Sequence, residues 1–217
     1  MIDYTQAREA MVDCQIRPAD VTRYSIIEAF LAVPREAFVG HAMRDVAYAD
    51  IEVPLAPGRV LVEPRTLAKM IEVVGVSSGD LVLDLAPGTG YSTAILARLA
   101  EAVVAIEPEQ VLLEQMQDAL ANLEVDNAVA ALGSPAQGDA AHGPYDVIFV
   151  NGAVETLPAS LTSQLKDGGR LVAVFLDGSV GRCCVMVRAG ESLTDRFCFN
   201  ATAPLLQGFE KDRSFAF

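Results

Sequence analysis

The chain passes from a strand-like to a helix-like pattern through Leu81-Val82-Leu83-Asp84-Leu85-Ala86-Pro87-Gly88-Thr89-Gly90. Apolar residues around a single acid predict a buried β-strand over 81–85, and the proline and two glycines after it predict a sharp turn. Residues 91–99 then carry apolar side chains at helical spacing. A strand, a glycine turn and a helix in this order are typical of a sheet that binds its ligand at the turn.

Alternating strands and helices continue toward the C-terminus. The apolar patterns predict strands at 102–106, 128–132, 145–150 and 170–176, helices at 109–123 and 157–165, and a loop at 133–143. Apolar strands separated by helices form a parallel sheet that is covered on both faces. The last two strands, 183–188 and 194–202, have no helix between them and should form an antiparallel hairpin. The sequence therefore predicts an α/β fold, doubly wound and Rossmann-like, with a mostly parallel sheet and a C-terminal antiparallel hairpin.

The first 78 residues are predicted to form a helical and extended cap that packs on this core. Apolar spacing predicts helices in 5–16, 22–31 and 64–74, and an extended segment at 48–55. We divide the chain into a cap, 1–78, and a core, 79–217, that together form one compact unit. With 217 residues, 52% of them hydrophobic, the chain is long enough to bury a large apolar core.

Composition excludes several classes of partner. Sixteen basic and 29 acidic residues give a net charge of −13, which repels nucleic-acid backbones, so no nucleic-acid binding is expected. No signal peptide and no apolar run long enough to span a bilayer is visible, so we expect a cytoplasmic protein that does not enter membranes. The four cysteines form no C-x-x-C pair and only two histidines are present, so no metal site is expected. The oligomeric state is not determined by these features.

Two acids at strand ends predict a nucleoside site at the glycine turn. Asp84 lies at the end of an apolar strand, and Glu107 ends the next strand, where a carboxylate can bind both ribose hydroxyls. The dinucleotide fingerprint needs a third glycine where this chain has Thr93, and Asp84 would repel a pyrophosphate. S-adenosylmethionine, with an ammonium group and no phosphate, fits better. A plain tight turn, with Glu107 as an ordinary surface charge, is the alternative.

Taken together, the chain resembles the protein-L-isoaspartate O-methyltransferases over residues 10–175. The matching stretches occur in the family's order: Met11-Val12-Asp13 to Ile16, Val33-Pro34-Arg35-Glu36-Ala37-Phe38-Val39, Ala47-Tyr48-Ala49-Asp50, Gly58 to Met70, Asp84 to Ala97, Pro144-Tyr145-Asp146-Val147-Ile148, and Gln164-Leu165-Lys166-Asp167-Gly168-Gly169-Arg170-Leu171-Val172. The second and last of these are specific to that family, whereas the glycine motif alone would indicate only a methyltransferase.

The resemblance implies a reaction and a set of site residues. The family transfers a methyl group from S-adenosylmethionine, leaving S-adenosylhomocysteine, to the α-carboxylate of L-isoaspartyl residues in damaged proteins or peptides. The cofactor contacts it implies are Asp84, Ala86, Gly88, Thr89, Gly90, Glu107, Ser134 and Asn151. The acceptor-facing residues it implies are Tyr48, Asp50, Val62, Glu63, Pro64 and Arg65. Core packing for Tyr48 and a solvated charge for Arg65 are equally good interpretations.

Three positions depart from the family pattern. Val62 replaces a hydroxyl residue, so no catalytic residue is assigned, and Glu63 adds an acid beside an acceptor that is itself a carboxylate. Ala86 replaces the first motif glycine, and Ser134 replaces an acid expected to receive the adenine amino group. We expect an apolar acceptor mouth at Val62 and weak isoaspartyl activity. A methyltransferase of another acceptor and a non-catalytic nucleoside-binding or protein-binding member are the alternatives.

Overall fold

The computed structural model describes residues 2–211, which begin with helices and a small hairpin. The helices are α1 (Tyr4–Met11), α2 (Tyr24–Ala32) and α3 (Pro64–Val74), and a π-helical turn, Val12–Ile16, extends α1. Between α2 and α3, β1 (Val53–Ala56) pairs antiparallel with β2 (Arg59–Leu61). The extended segment expected at 48–55 is therefore shorter, because turns and bends occupy residues 47–51 and the strand starts only at Val53.

A seven-stranded sheet forms the rest of the chain. Its elements are β3 (Leu81–Leu85), α4 (Tyr91–Ala97), β4 (Ala102–Glu107), α5 (Gln110–Asn122), β5 (Ala128–Leu132), β6 (Tyr145–Val154), α6 (Ala159–Thr162), β7 (Leu165–Asp177), β8 (Val180–Ala189) and β9 (Ser192–Asn200). The strand order is β5-β4-β3-β6-β7-β8-β9. Strands β3 to β7 pair in parallel, and β8 and β9 add antiparallel. The predicted fold class is confirmed.

The order of the strands reverses at β3, which lies between β4 and β6. The carboxyl ends of these three strands meet at one edge of the sheet, where crossovers leave in opposite directions and open a crevice. Cross-strand register brings Asp84 opposite Ala105 on β4 and opposite Phe149 on β6. The topology therefore positions the glycine turn after β3 at the switch point.

The two faces of the sheet are covered differently. On one face, a large apolar cluster joins the sheet to helices α1 to α5, with Met11, Ile26, Leu67, Ile95 and Met116 as members. The opposite face is covered by α6 and by the chain after β9, with Leu161, Leu206 and Phe209 as members of a second cluster. The helix expected at 157–165 has only the four residues of α6, because Pro158 caps its start, residues 163–164 form a turn, and β7 begins at Leu165.

The N-terminal 78 residues and the core share the large apolar cluster, which contains Phe30 and Leu67 of the former and Val103 and Val172 of the latter. The division at residue 78 stays a prediction. None of the helices within residues 2–211 combines the length and apolar character needed to cross a bilayer.

Candidate active site

The turn between β3 and α4 contains three residues in the left-handed backbone region. Gly88 and Gly90 adopt φ values of 64° and 92°, which glycine tolerates without steric cost. Ala86 has φ of 55°, so its methyl group is held in a conformation that disfavours residues with a Cβ. The N–H of Ala86 donates to the carbonyl oxygen of Ile106 at 2.8 Å, which ties the turn to β4.

Asp84 is fully buried beneath this turn and connects three elements. Its carboxylate accepts hydrogen bonds from Ser92 Oγ at 2.9 Å, Thr93 Oγ1 at 2.7 Å and Asn151 Nδ2 at 2.6 Å. Burial raises the pKa of Asp84 to about 6, although these hydrogen bonds act in the opposite direction. Asp84 and Asn151 thus hold β3, α4 and β6 together, and their direct contact with a ligand stays a prediction.

Glu107 is also fully buried, and four donors surround its carboxylate. Arg59 donates from Nη1 to Oε1 at 2.7 Å and from Nη2 to Oε2 at 2.8 Å. The N–H of Gly88 donates to Oε2 at 2.8 Å, and the N–H of Glu109 donates to Oε1 at 3.2 Å. The predicted ribose-binding carboxylate therefore lies against the glycine turn and is paired with a guanidinium.

Arg59 was not assigned a role from the sequence. It lies at the start of β2 and also donates from Nη2 to the carbonyl oxygen of Ala86 at 3.0 Å. A buried carboxylate needs hydrogen-bond donors, so a buried Glu107 would have indicated that donors from other segments converge on it. Arg59 and Glu107 are 48 positions apart in the chain, so the sequence did not indicate that Arg59 is the partner of Glu107.

The β1–β2 hairpin rests directly on the glycine turn. Cδ1 of Leu55 lies 2.6 Å from the place that a Cβ on Gly88 would occupy, so only glycine leaves room for that contact. Thr89 fixes the other side of the turn, since its hydroxyl donates to the carbonyl oxygen of Phe38 at 2.6 Å. Thr89 is thus placed at the turn, but its hydroxyl is used by the N-terminal segment.

A cleft of about 590 Å³ opens beside this turn. Its walls are Pro57, Gly58, Arg59, Pro108, Glu109, Leu132, Gly133, Ser134, Pro135 and Leu205 to Gly208. Ser134 is exposed in this cleft, at the place where the resemblance implies the adenine. Glu107 does not reach the cleft wall, because Arg59 lies there instead. The cleft is large enough for a nucleoside-sized ligand.

Tyr48, one of the predicted acceptor residues, is buried and its hydroxyl is fully engaged. That hydroxyl donates to the carboxylate of Glu36 and accepts from Arg8 Nε at 2.9 Å and from the N–H of Arg35 at 3.2 Å. Burial is the main cause that raises the pKa of Tyr48. These contacts favour the packing interpretation of this tyrosine.

The segment from Val62 to Arg65 joins β2 to α3. Val62 is buried in the large apolar cluster, and its carbonyl oxygen accepts from Arg35 Nη2 at 2.7 Å. Pro64 is the first residue of α3, as predicted. Val62 is not among the residues that line the described clefts, so the apolar acceptor mouth stays a prediction.

Charged residues mark the surface around this segment. The exposed Arg65 lies 3.7 Å from Asp50 and 3.4 Å from Glu63, measured between nitrogen and carboxylate oxygen. Glu63 also accepts a hydrogen bond from the hydroxyl of Thr66. A second cleft, of about 440 Å³, lies between Glu63, Arg65, residues 179–181 and residues 200–202. Within residues 2–211, no group of three or more His, Cys, Asp or Glu residues is arranged to hold a metal ion.

Comparison with protein families gives a match that covers most of the chain. The model of the protein-L-isoaspartate(D-aspartate) O-methyltransferase family matches residues 6–188. A protein-L-isoaspartate O-methyltransferase of Roseiflexus castenholzii is 32% identical over 209 residues, which are 95% of either chain. Protein-L-isoaspartate O-methyltransferase 1 of Rhodopseudomonas palustris is 38% identical over 186 residues, which are 85% of this chain and 76% of the relative.

Solved structures show the same likeness in three dimensions. A protein-L-isoaspartate O-methyltransferase superposes with a TM-score of 0.82 at 25% identity, over 93% of this chain and 66% of that chain. A Plasmodium falciparum protein assigned to the same enzyme class superposes with a TM-score of 0.79 at 16% identity, over 95% of this chain and 99% of that chain. The latter structure was determined in complex with S-adenosyl-L-homocysteine, and at this identity it supports the fold alone.

Proposed function

Because the chain belongs to the protein-L-isoaspartate O-methyltransferase family, whose members depend on S-adenosylmethionine, we propose that it methylates isoaspartyl carboxylates in damaged proteins or peptides. The observation that carries the proposal is the buried carboxylate of Glu107 beside the glycine turn and the 590 Å³ cleft. The cytoplasmic location expected from the sequence is part of the same proposal.

The residues at the strand ends fit an adenosine cofactor in their chemistry. Glu107 would accept hydrogen bonds from the two ribose hydroxyls, and Gly133, Ser134 and Pro135 would enclose the adenine. The left-handed turn at Gly88 would let the main chain approach the amino-acid part of the cofactor, with Asp84 and Asn151 behind it. The bound cofactor would supply an electrophilic methyl group on a sulfonium.

The chain's own part in the reaction would be to position the acceptor and exclude water. A carboxylate is already ionised at pH 7, so it needs no general base to become a nucleophile. The enzyme therefore has to hold one oxygen in line with the methyl group in a dry site. Arg35, through the carbonyl oxygen of Val62, would hold the acceptor segment in place for this task.

Arg65 is our candidate for binding the acceptor carboxylate. It lies beside the 440 Å³ cleft, and its present partners, Asp50 and Glu63, lie at 3.7 and 3.4 Å. Exposed ion pairs of this kind contribute about 0–1 kcal/mol, so an incoming carboxylate can replace them at little cost. Arg65 is the one cation in the segment from Val62 to Arg65, and a peptide carboxylate entering along this cleft would meet it there.

The proposal is tested by methyl transfer from labelled S-adenosylmethionine to an isoaspartyl peptide. The matched control is the same peptide with a normal aspartyl residue, which should accept no label. Glu107→Gln should weaken binding of S-adenosylhomocysteine by about tenfold, since the ribose hydroxyls lose a charged acceptor. Glu101→Gln, at an exposed position next to β4, should leave that binding unchanged.

Two other results would contradict the proposal. Label transferred from the cofactor to a component of a cell lysate, but not to the isoaspartyl peptide, would indicate another acceptor. Calorimetry that detects no binding of S-adenosylmethionine or S-adenosylhomocysteine at millimolar concentration would indicate a non-catalytic member of the family.

A further inference from the structure

The carboxylate of Glu107 has no acceptor position left for a ribose hydroxyl. An ionised carboxylate offers about four lone-pair sites, two on each oxygen. Oε1 receives Arg59 Nη1 at 2.7 Å and the N–H of Glu109 at 3.2 Å. Oε2 receives Arg59 Nη2 at 2.8 Å and the N–H of Gly88 at 2.8 Å. A nucleoside can therefore use Glu107 only after one of these donors has left.

Arg59 is the donor that can leave. The N–H groups of Gly88 and Glu109 belong to the main chain next to β3 and β4, so moving them would disrupt the sheet edge. The guanidinium of Arg59 is carried by a flexible side chain on a two-stranded hairpin outside that sheet. It also forms part of the cleft wall, whereas Glu107 lies behind it with no exposed surface.

The hairpin that carries Arg59 contacts the turn at two further points. Arg59 Nη2 donates to the carbonyl oxygen of Ala86 at 3.0 Å, and Leu55 packs over Gly88. Strand β2 ends at Leu61 and leads directly into the segment from Val62 to Arg65. A shift of the hairpin would therefore be transmitted to the residues that are expected to receive the acceptor.

We propose that Arg59 is an affinity-determining latch on Glu107, and that the adenosine cofactor binds by displacing its guanidinium. This inference rests on the proposed function, since it takes the nucleoside of S-adenosylmethionine as the ligand of Glu107. The ion pair lowers the apparent affinity for the cofactor, which equals the intrinsic affinity multiplied by the fraction of molecules in which the latch is open. Binding also frees the β1–β2 hairpin, so cofactor and acceptor sites are coupled through Arg59.

Calorimetry with S-adenosylhomocysteine tests the latch. Arg59→Gln removes the charge and the fork of donors, and it should tighten binding by about tenfold or more, the factor that corresponds to one charge-assisted hydrogen bond. Arg59→Lys keeps a point charge without the bidentate geometry, so its affinity should lie between those of the other two proteins. Arg17→Gln, which removes an exposed arginine paired with Asp13, is the control and should bind like the wild type.

The experiment distinguishes failure of the latch from failure of the proposed function. If the wild type binds S-adenosylhomocysteine and Arg59→Gln binds equally or more weakly, the latch is wrong and the proposed function stands. If neither protein binds, both are wrong. Should Arg59→Gln fail to fold, amide hydrogen exchange on the wild type decides the question. Faster exchange of residues 53–61 with saturating ligand supports the latch, and unchanged or slower exchange overturns it.

Discussion

Arg35 and Val62 lie 27 positions apart in the chain, and Nη2 of Arg35 donates to the carbonyl oxygen of Val62 at 2.7 Å. Arg35 has no exposed surface, and its Nε donates to the carbonyl oxygen of Ala47 at 2.7 Å. Its guanidinium also stacks on the ring of Tyr91, 4.9 Å from the ring centroid. One buried cation thus connects the end of the 3-10 region, the acceptor segment and the start of α4.

Replacing Arg35 should destabilise the protein strongly. Arg35→Met leaves the buried carbonyl oxygens of Ala47 and Val62 without donors, which should lower the free energy of unfolding by about 2–4 kcal/mol. Urea unfolding followed by circular dichroism measures this change. Arg17→Met, at an exposed ion pair, is the control and should cost at most about 1 kcal/mol. A stability of Arg35→Met equal to that of the wild type would show that the guanidinium is not needed to hold the segment.

Val62→Ser should raise the rate of isoaspartyl methylation. The smaller serine side chain would supply a hydroxyl donor to position the acceptor carboxylate, worth about 1–2 kcal/mol or 5–30-fold in kcat/KM. Adding Glu63→Ala should raise the rate further, since it removes a like charge from beside the acceptor. Val60→Ser, on the half-buried side of β2, is the control. If neither variant methylates the isoaspartyl peptide while the cofactor still binds, a different acceptor is indicated.

Asp84 should make the protein less stable as the pH rises from about 4 to about 6. Its pKa is raised from the ordinary 3.8 to about 6 in the folded state, mainly by burial. The folded protein therefore binds a proton that the unfolded chain has already lost, and stability falls with pH across that window. The full loss is about 3 kcal/mol, at about 1.4 kcal/mol for each pKa unit.

Asp84→Asn should remove this dependence, because the amide is uncharged and can still bond with Ser92, Thr93 and Asn151. Urea unfolding at pH 4, 5, 6 and 7.5 measures the stability difference between variant and wild type, which should increase with pH. Asp118→Asn, on the exposed face of α5, is the matched control. A difference that stays constant with pH would contradict the assignment.

Ala86→Gly should stabilise the protein by about 0.5–1 kcal/mol. A residue with a Cβ at a φ of 55° pays a steric cost that glycine avoids, and this gain exceeds the extra chain entropy that glycine loses on folding. Ala94→Gly, inside α4, is the contrasting variant and should cost about 1 kcal/mol. Thermal unfolding of both variants measures whether stability increases in Ala86→Gly and decreases in Ala94→Gly. A loss of stability in Ala86→Gly would show that the turn accepts the alanine without strain.

The elements that the sequence predicted well are those with a clear hydrophobic period. The strand at 128–132 has the bounds of β5, and β3, β4 and α5 agree with their predictions to within about one residue. The helix predicted at 157–165 and the extended segment at 48–55 were wrong in length. In both, short apolar runs fit several local structures, and the choice depended on which neighbour was present to pair with the main chain.

The residues of the candidate site also divide into those that the sequence could predict and those that it could not. Asp84, Gly88, Gly90 and Glu107 could be found from the chain itself, because their spacing follows from the strand, turn and helix that carry them. Their partners could not be found in that way. The carboxylate of Glu107 needed donors for its burial, but the chain offers 16 lysines and arginines besides its other donors, and only folding of the hairpin onto the turn selected Arg59.

The sequence by itself determined the order of the elements, the glycine turn after β3 and the resemblance that indicates the family, since each depends on local periods and on motifs a few residues long. Only the tertiary structure decided that Arg59 pairs with the carboxylate of Glu107 and that Arg35 donates a hydrogen bond to the carbonyl oxygen of Val62. It also decided that the hydroxyl of Tyr48 forms hydrogen bonds with Arg8 and Glu36, within the N-terminal segment. The physical reason is that a buried polar group must find a partner somewhere, and the packing of distant segments determines which one.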